Sequence, residues 1–311
     1  MTDLAVAVVN YNTRDFLRAC LASIVADKPA GIVVVDNGSK DGSAEMVAAE
    51  FPSVRLVVDP TNPGYGTSAN RAIGLCDAPY VLLLNSDTLL PAGATRALAK
   101  YLDENPRAAI VGPRLRKLDG RLQETCHEFP TPVRSLLEHT WIGDVLRAIP
   151  FASGLRPFMW PHDRPRVVPW VTGAAMAIRK SAFDELGGFD PSFYMYYEET
   201  DLCYRMRLAG WETHFAPVTD LVHYGGVSTK QFRTAMYLEL YTGAIRFYRR
   251  HRSPRAVAQV ERVFSFAMWN KIAIRKILLM LTRDESSRVK LRQEIDDCRA
   301  VLRRPWRQTT T

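Results

Sequence analysis

The sequence predicts an α/β fold, a doubly wound and mainly parallel sheet flanked by helices, followed by a helical C-terminal extension. Three observations carry this expectation. Strand-like apolar runs alternate with helical periodicity through the first third of the chain. Several of these runs are apolar without interruption, as strands covered on both faces are. From about Gln231 the pattern turns helical and strongly basic.

Taken in order, "LAVAVVNYN" reads as a first strand and "TRDFLRACLASIVA" as a helix capped by Thr13. "GIVVVDNGS" is a second strand and "DGSAEMVAAEF" a second helix. "VRLVVDP", "GTSANRAIGLC" and "YVLLLNSD" continue as strand, helix and strand. Beyond Arg107, "AAIVGPRL" resembles a strand and "KLDGRLQ" a hairpin turning through Asp119-Gly120. Residues 141–169 are rich in Pro and aromatics without a clear period. "VPWVTGAAMAIRKSAF" then runs from strand toward helix, and "EETDLCYRMRLAG" is a helix stopped by Gly210. "WETHFAP" and "TDLVHYGG" read as two short strands. The expected organisation is a domain over 1–229, in halves 1–106 and 107–229, and an extension over 230–311.

Charge is uneven. Residues 230–311 hold 19 Lys or Arg against 7 Asp or Glu, a net +12, while the whole chain carries +8, so the remainder is −4. "RFYRRHRSPR" followed by an apolar, basic helical segment fits an interfacial anchor drawn to anionic lipid. A solvated helix pairing two copies is the alternative, and nucleic acid is not expected. Lys271, Arg275 and Lys276 interrupt the most apolar C-terminal segment, which argues against a spanning helix. Five cysteines without C-x-x-C spacing argue against a disulfide framework or a zinc cluster and fit a reducing cytosol. The first apolar run lacks a basic leader and reads as a strand, not a secretion signal.

Ligands of open α/β sheets gather beyond the carboxyl ends of the strands. Asn10, Asn12, Asp36 and Asn37 stand there if the first two strands are neighbours. Asp36 suits the imide N–H of a pyrimidine base or a ribose hydroxyl; the plainer reading is a turn that caps the next helix, which suffices for Asp41 and Ser43. The first strand-to-helix turn, "NYNTRD", lacks glycine, which excludes a G-x-G-x-x-G dinucleotide site. "NPGYGTSANRAI" has Gly64 and Tyr65 ahead of a helix whose N–H groups face a phosphate, with Asn70 and Arg71 in its opening turns. Asp87, with Asn85 and Ser86 beside it, ends a buried strand at the ligand edge. A Mg²⁺ or Mn²⁺ at a diphosphate needs one or two protein carboxylates; capping of a helix near Pro91 is the competing role. Glu198, Glu199 and Asp201 crowd a helix N-terminus, where the dipole favours negative charge, and Asp201 is spaced to pair with Arg205. Glu199 projects away from Glu198 and is free to face a cleft. His223, before Gly225-Gly226, is a metal ligand, a phosphate contact or a core histidine.

These motifs, in this order, resemble the family 2 inverting glycosyltransferases of the GT-A fold, most closely the bacterial rhamnosyltransferase-like branch that builds cell-wall and O-antigen linkers. The likeness spans about residues 4–229 and rests on "VVNYNTRDFL", "VVVDNGSKDGS", "NPGYGTSANRAI", "LLLNSDT", "WVTGAAMAIRKSAFDELGGFDPSFYMYYEETDLCYR" and "HYGGVS". It implies that Asp36 binds the base, that Asp87 holds the cation at the sugar-nucleotide diphosphate, and that His223 completes the metal site. It places Thr172 and Gly173 with the donor and makes Glu199 the general base, where the family pattern is Glu-Asp and this chain has Glu-Glu. Asn85-Ser86-Asp87 stands where the pattern has Asp-any-Asp. The implied donor is a dTDP- or UDP-sugar, dTDP-rhamnose first, and the acceptor a glycan or polyprenyl-linked saccharide of envelope polysaccharide synthesis. The implied setting is cytoplasmic, on the inner face of the membrane. The stretches around "GPRLRKLDGRLQ" and "WIGDVLRAIPF", with Trp141, Phe151, Phe158 and Trp160, are expected on the acceptor side. A nucleotidyltransferase would need a basic glycine-rich loop after its first strand, which is missing, and a noncatalytic sugar-binding module has no need of Asp87, Glu199 and His223 together.

Overall fold

The computed structural model describes residues 3–141, 162–226 and 232–303. The chain divides into two compact units, residues 1–129 with 160–231 and residues 130–159 with 232–311.

The first unit is built on one sheet with strand order β3-β2-β1-β4-β11-β6-β12-β5. Its left half comprises β1 (Leu4–Asn10), β2 (Ile32–Asp36), β3 (Arg55–Val58) and β4 (Tyr80–Asn85), all parallel. The crossovers are α1 (Arg14–Asp27), α2 (Ser43–Glu50) and α3 (Tyr65–Gly74). β1 and β2 are buried along their whole length and β4 as far as Leu84, which is why their sequences run apolar without alternation. After β4 come the two-residue β5 (Thr88–Leu89), α4 (Ala94–Glu104), β6 (Ala108–Arg116), β7 (Leu122–Gln123) and β8 (Cys126–His127). The expected Asp119-Gly120 turn joins β6 to β7, with Gly120 at φ 78°.

The second half of this unit holds β9 (Arg166–Val168), β10 (Trp170–Val171) and β11 (Ala175–Arg179). β11 runs antiparallel between β4 and β6, so the residues just before it lie at the carboxyl end of β4. α6 (Lys180–Glu185), α7 (Glu198–Leu208) and β12 (Glu212–His223) follow. β12 is one strand where two were expected; an irregularity between Phe215 and Asp220 in its pairing with β6 produces the apparent break.

Two caps differ from expectation. Thr13 occupies the N-cap of α1 without a capping bond, because its hydroxyl donates to Asn10 Oδ1 at 2.6 Å and meets Ser86 Oγ at 2.8 Å. The helix after Pro91 is capped by Asp27, whose carboxylate accepts from Gly93 N–H and, at 2.8 Å, from Thr95 N–H. Asp87 has no part in it. Asp41 does act in its turn, accepting from the N–H and hydroxyl of Ser43.

The second unit contains α5 (Pro132–His139), which the sequence reading leaves within 107–229, with α8 (Arg233–His251), α9 (Pro254–Leu281) and α10 (Glu285–Leu302). Ser253 ahead of Pro254, and Asp284, cap α9 and α10 through their side chains. Tyr241, Phe247, Tyr248 and Phe264 fill the core of this unit. Arg275 and Arg233 both reach Glu294, at 2.7 and 3.2 Å. Phe151, Phe158 and Trp160 lie outside the described residues; Trp141 is exposed.

Candidate active site

The tips of β1 and β2 are locked together. Asn10 pairs with Asp36 in register, and Asp36 Oδ2 accepts from Asn10 Nδ2 and from Ser39 Oγ, each at 2.7 Å. Asp36 Oδ1 accepts from Ser39 N–H at 2.8 Å. The carboxylate is 1% exposed and most of its lone pairs are engaged. Asn12 Oδ1 takes Lys40 N–H, and Asn37 Oδ1 takes the Ser68 hydroxyl, tying β2 to α3. Asn10 and Ser86, both expected at the donor, are linked through Thr13, and Asn10 braces Asp36. Thr13, expected only as a helix cap, and Ser39, in the turn after β2, supply the hydroxyls of this lock.

Asn70 and Arg71 have partners within the protein. Asn70 bonds both backbone groups of Phe189, donating at 2.7 Å and accepting at 2.8 Å, and so ties α3 to the loop before α7. Arg71 is exposed and pairs with Asp59 at 3.2 Å. Asp201 is fully buried and pairs with Arg205 at 2.7 Å, as its spacing predicts. Arg205 in turn donates to the carbonyls of Leu186 and Gly188, so this pair ties α7 to the loop before it.

β5 pairs with the end of β12, setting His223 opposite Thr88, and Tyr224 N–H donates to the Asp87 carbonyl at 3.0 Å. Residues 87 and 223 are thereby brought together. His223 Nε2 lies 3.2 Å from Asp87 Oδ1, and Nδ1 lies 3.0 Å from Gln123 Oε1. With Nδ1–H donating to Gln123, Nε2 turns a lone pair toward the carboxylate. This nitrogen is buried and makes no hydrogen bond. Two facing electron-pair donors of this kind suit a divalent cation, with Gln123 orienting the imidazole from behind. Gln123 lies in the arm of the expected hairpin, but its contact with His223, 100 residues later, has no local sign in the sequence. Asn85 closes β4 with its N–H on the Ala174 carbonyl at 3.0 Å. Among the described residues no group of three His, Cys, Asp or Glu gathers around one point.

The glutamates arrive by a strained turn. Tyr196 and Tyr197 are both left-handed, at φ 64° and 70°, immediately before α7. Non-glycine residues in this region cluster at functional sites because the surroundings must impose the conformation. The same loop presses on the start of α3, where Tyr65 N–H donates to the Tyr194 carbonyl at 2.8 Å. Gly64 has φ +97°, and a Cβ there would stand 2.5 Å from that carbonyl oxygen. Gly64→Ala is therefore expected to lower stability by about 1–3 kcal/mol, read as a lower urea midpoint at unchanged slope; an unchanged midpoint would contradict the close approach.

Glu199 and Tyr65 come together beside Gly173, with Glu198 beside Gly66 one residue after Tyr65. A methyl on Gly66 would touch Glu198 Cβ at 3.5 Å, and one on Gly173 would touch Glu199 Cβ at 3.9 Å and the Tyr65 ring at 4.0 Å. The Tyr65 hydroxyl donates to the Gly173 carbonyl at 3.2 Å. Burial, then the charges of Glu198, Glu199 and Asp87, push the Tyr65 phenol well above its usual range. Glu198 Oε2 and Glu199 Oε2 are shielded from solvent and make no hydrogen bond. Burial raises both carboxyls, Glu198 well above the ordinary range with the Glu199 charge adding, and Glu199 to about 7. Thr172 adjoins this group, its N–H on the Thr125 carbonyl at 2.9 Å.

The sheet is mixed and mainly parallel, with Asp87 just past the carboxyl end of β4. Residues 5–187 match the family model described as "Glycosyl transferase family 2". The chain belongs to that family and is a glycosyltransferase. It is 32% identical over 244 residues to N-acetylglucosaminyl-diphospho-decaprenol L-rhamnosyltransferase of Mycobacterium tuberculosis, covering 74% of this chain and 78% of that protein. It is 23% identical to rhamnosyltransferase WbbL of Escherichia coli over 73% of this chain and 85% of that one. Among solved structures it resembles the mannosyltransferase PcManGT of Pyrobaculum calidifontis, in complex with GDP-Man and Mn²⁺. The TM-score there is 0.53 at 16% identity, covering 96% of this chain and 86% of that one.

Proposed function

We propose that this enzyme transfers a sugar, rhamnose from dTDP-rhamnose as the leading donor, to a hydroxyl of a glycan or polyprenyl-linked saccharide in envelope polysaccharide synthesis. Transfer is a single displacement with inversion. The observation that supports the reading is the pairing of Asp87 with His223 at 3.2 Å past the end of β4, together with Glu199 held beside Tyr65 and Gly173. The relatives' names supply the sugar and the acceptor class.

Glu199 takes the proton from the acceptor hydroxyl, which attacks the anomeric carbon on the face opposite the departing diphosphate. A carboxylate that titrates near neutrality is a matched base for this step. Burial and then the Glu199 charge raise the Glu198 carboxyl, which favours its neutral form beside the base. Asp87 and His223 would hold Mg²⁺ or Mn²⁺, with Asn85 at the same strand end; the ion, when bound, would offset charge on the diphosphate. Asp36 keeps a lone pair for the base, and Asn12, Asn37 and Gly64 line the donor edge of the sheet. Attachment to the inner face of the membrane follows from the basic extension and the lipid-linked acceptor. Among the described residues no helix is long and apolar enough to cross a membrane.

A donor panel read by thermal shift tests the assignment, because a ligand that binds only the folded state raises apparent stability by about 2.7 kcal/mol at a hundredfold excess over Kd. dTDP-rhamnose with Mn²⁺ is expected to shift the transition most, and less once EDTA is added. A panel in which no nucleotide-sugar moves the transition would overturn the proposal.

A further inference from the structure

The buried face of α9 packs through Phe264, Met268 and Ile272, and its opposite face has no partner among the described residues. Phe266, Trp269, Ile274, Ile277, Met280 and Leu281 are all exposed there, Trp269 at 64% and Met280 at 76%. At 100° per residue, Phe266, Trp269, Ile277, Met280 and Leu281 fall on one stripe directly opposite the buried one. A stripe of this size is unusual on a surface meant only for water.

The charges on α9 are sorted in the same way. Its inward cations are used within the unit, Arg275 on Glu294 and Lys271 against the Tyr237 and Tyr241 hydroxyls. Arg262 and Lys276 on the outer side, and Arg283 just past the helix end, are exposed and make no ion pair with a described residue. The only carboxylate between 254 and 281 is Glu261, which is buried. The outer face thus combines aromatic and aliphatic side chains with cations and contains no anion.

We propose that this face of α9 is a docking surface for an anionic lipid bilayer, with Phe266, Trp269, Ile277 and Met280 entering the interfacial layer and Arg262, Lys276 and Arg283 meeting headgroup phosphates. An amphipathic helix with a basic rim and bulky apolar residues lies in the plane of a membrane in this manner, and an exposed indole favours the headgroup level. A second copy is the poorer occupant. Residues 230–311 carry +12, so two such faces would bring like charge together, whereas an acidic leaflet supplies the opposite sign. The inference gives a surface to the membrane attachment proposed above and rests on that reading for its setting.

All five native cysteines are buried, so Ile277→Cys offers a single accessible thiol for an environment-sensitive fluorophore on the full-length protein. Its emission is expected to shift to the blue with phosphatidylcholine vesicles containing phosphatidylglycerol, to stay unchanged with pure phosphatidylcholine, and to revert as salt is raised. Trp269→Glu combined with Ile277→Glu is expected to lower partition onto the mixed vesicles at least about tenfold, while donor-induced thermal stabilisation, measured alongside, stays as in the wild type. No blue shift, an unchanged partition in the double variant, or a concentration-dependent shift without vesicles, which would mark a second copy, overturns the proposal. Vesicle binding without any donor response would instead sink the enzymatic reading and leave this one standing.

Discussion

Glu199→Gln is expected to leave a protein that binds its donor almost normally and transfers roughly a hundred- to ten-thousandfold more slowly. The amide keeps the shape of the side chain beside Gly173 but cannot accept a proton. Donor affinity is expected to depend on the groups proposed at the other strand tips. The pH profile follows from the same residue. With its carboxyl raised to about 7, the wild-type kcat/KM should climb with pH through neutrality and level off above it. Stability moves the other way. The carboxyl titrates near 4.3 when unfolded, so between about 4.3 and about 7 the native state holds a proton that the unfolded state has lost, and the fold weakens as pH rises through that window. Glu199→Gln removes this penalty, so at pH 8 the inactive variant should melt no lower than the wild type. Full turnover by the variant would move the base elsewhere.

Asp87→Ala should make donor binding weak and indifferent to metal. Removing the carboxylate leaves the His223 nitrogen without the oxygen it faces at 3.2 Å, and a lone imidazole is a poor site for a hard cation that prefers oxygen. In calorimetry the variant is expected to bind nucleotide-sugar as weakly as the wild type does in EDTA, and added Mn²⁺ should change nothing. Gln123→Ala, which leaves both groups and frees only the back of the imidazole, should lower metal affinity by roughly 10- to 100-fold. Donor binding by Asp87→Ala that still strengthens with Mn²⁺ would place the cation elsewhere.

The strands that deliver Asp36 and Asp87 are plain in the sequence because burial on both faces forces a run of Val, Ile and Leu, and the ligand edge follows from the parallel order. The Asp201–Arg205 pair is equally legible, since a spacing of four on a helix has only one geometry. What resists reading is long range. The continuity of β12 across Pro217 and Val218 depends on its neighbour β6, and the cap of α4 comes from Asp27, more than sixty residues earlier. The pairing of Arg71 with Asp59 joins a helix to the loop before it and has no periodic sign. The paired left-handed tyrosines before α7 have no compositional mark, because nothing in Tyr-Tyr favours positive φ; the surrounding packing imposes it.

The short ladder that sets His223 against Thr88 joins positions 135 residues apart in the chain. During synthesis, therefore, every loop that would cradle a nucleotide leaves the ribosome well before the histidine does. A nascent chain arrested ahead of residue 212 would have Asp87 exposed at the rim of an unfinished sheet and no imidazole to face it. On the proposed reading, the pair that would hold the ion is complete only when the last strand docks.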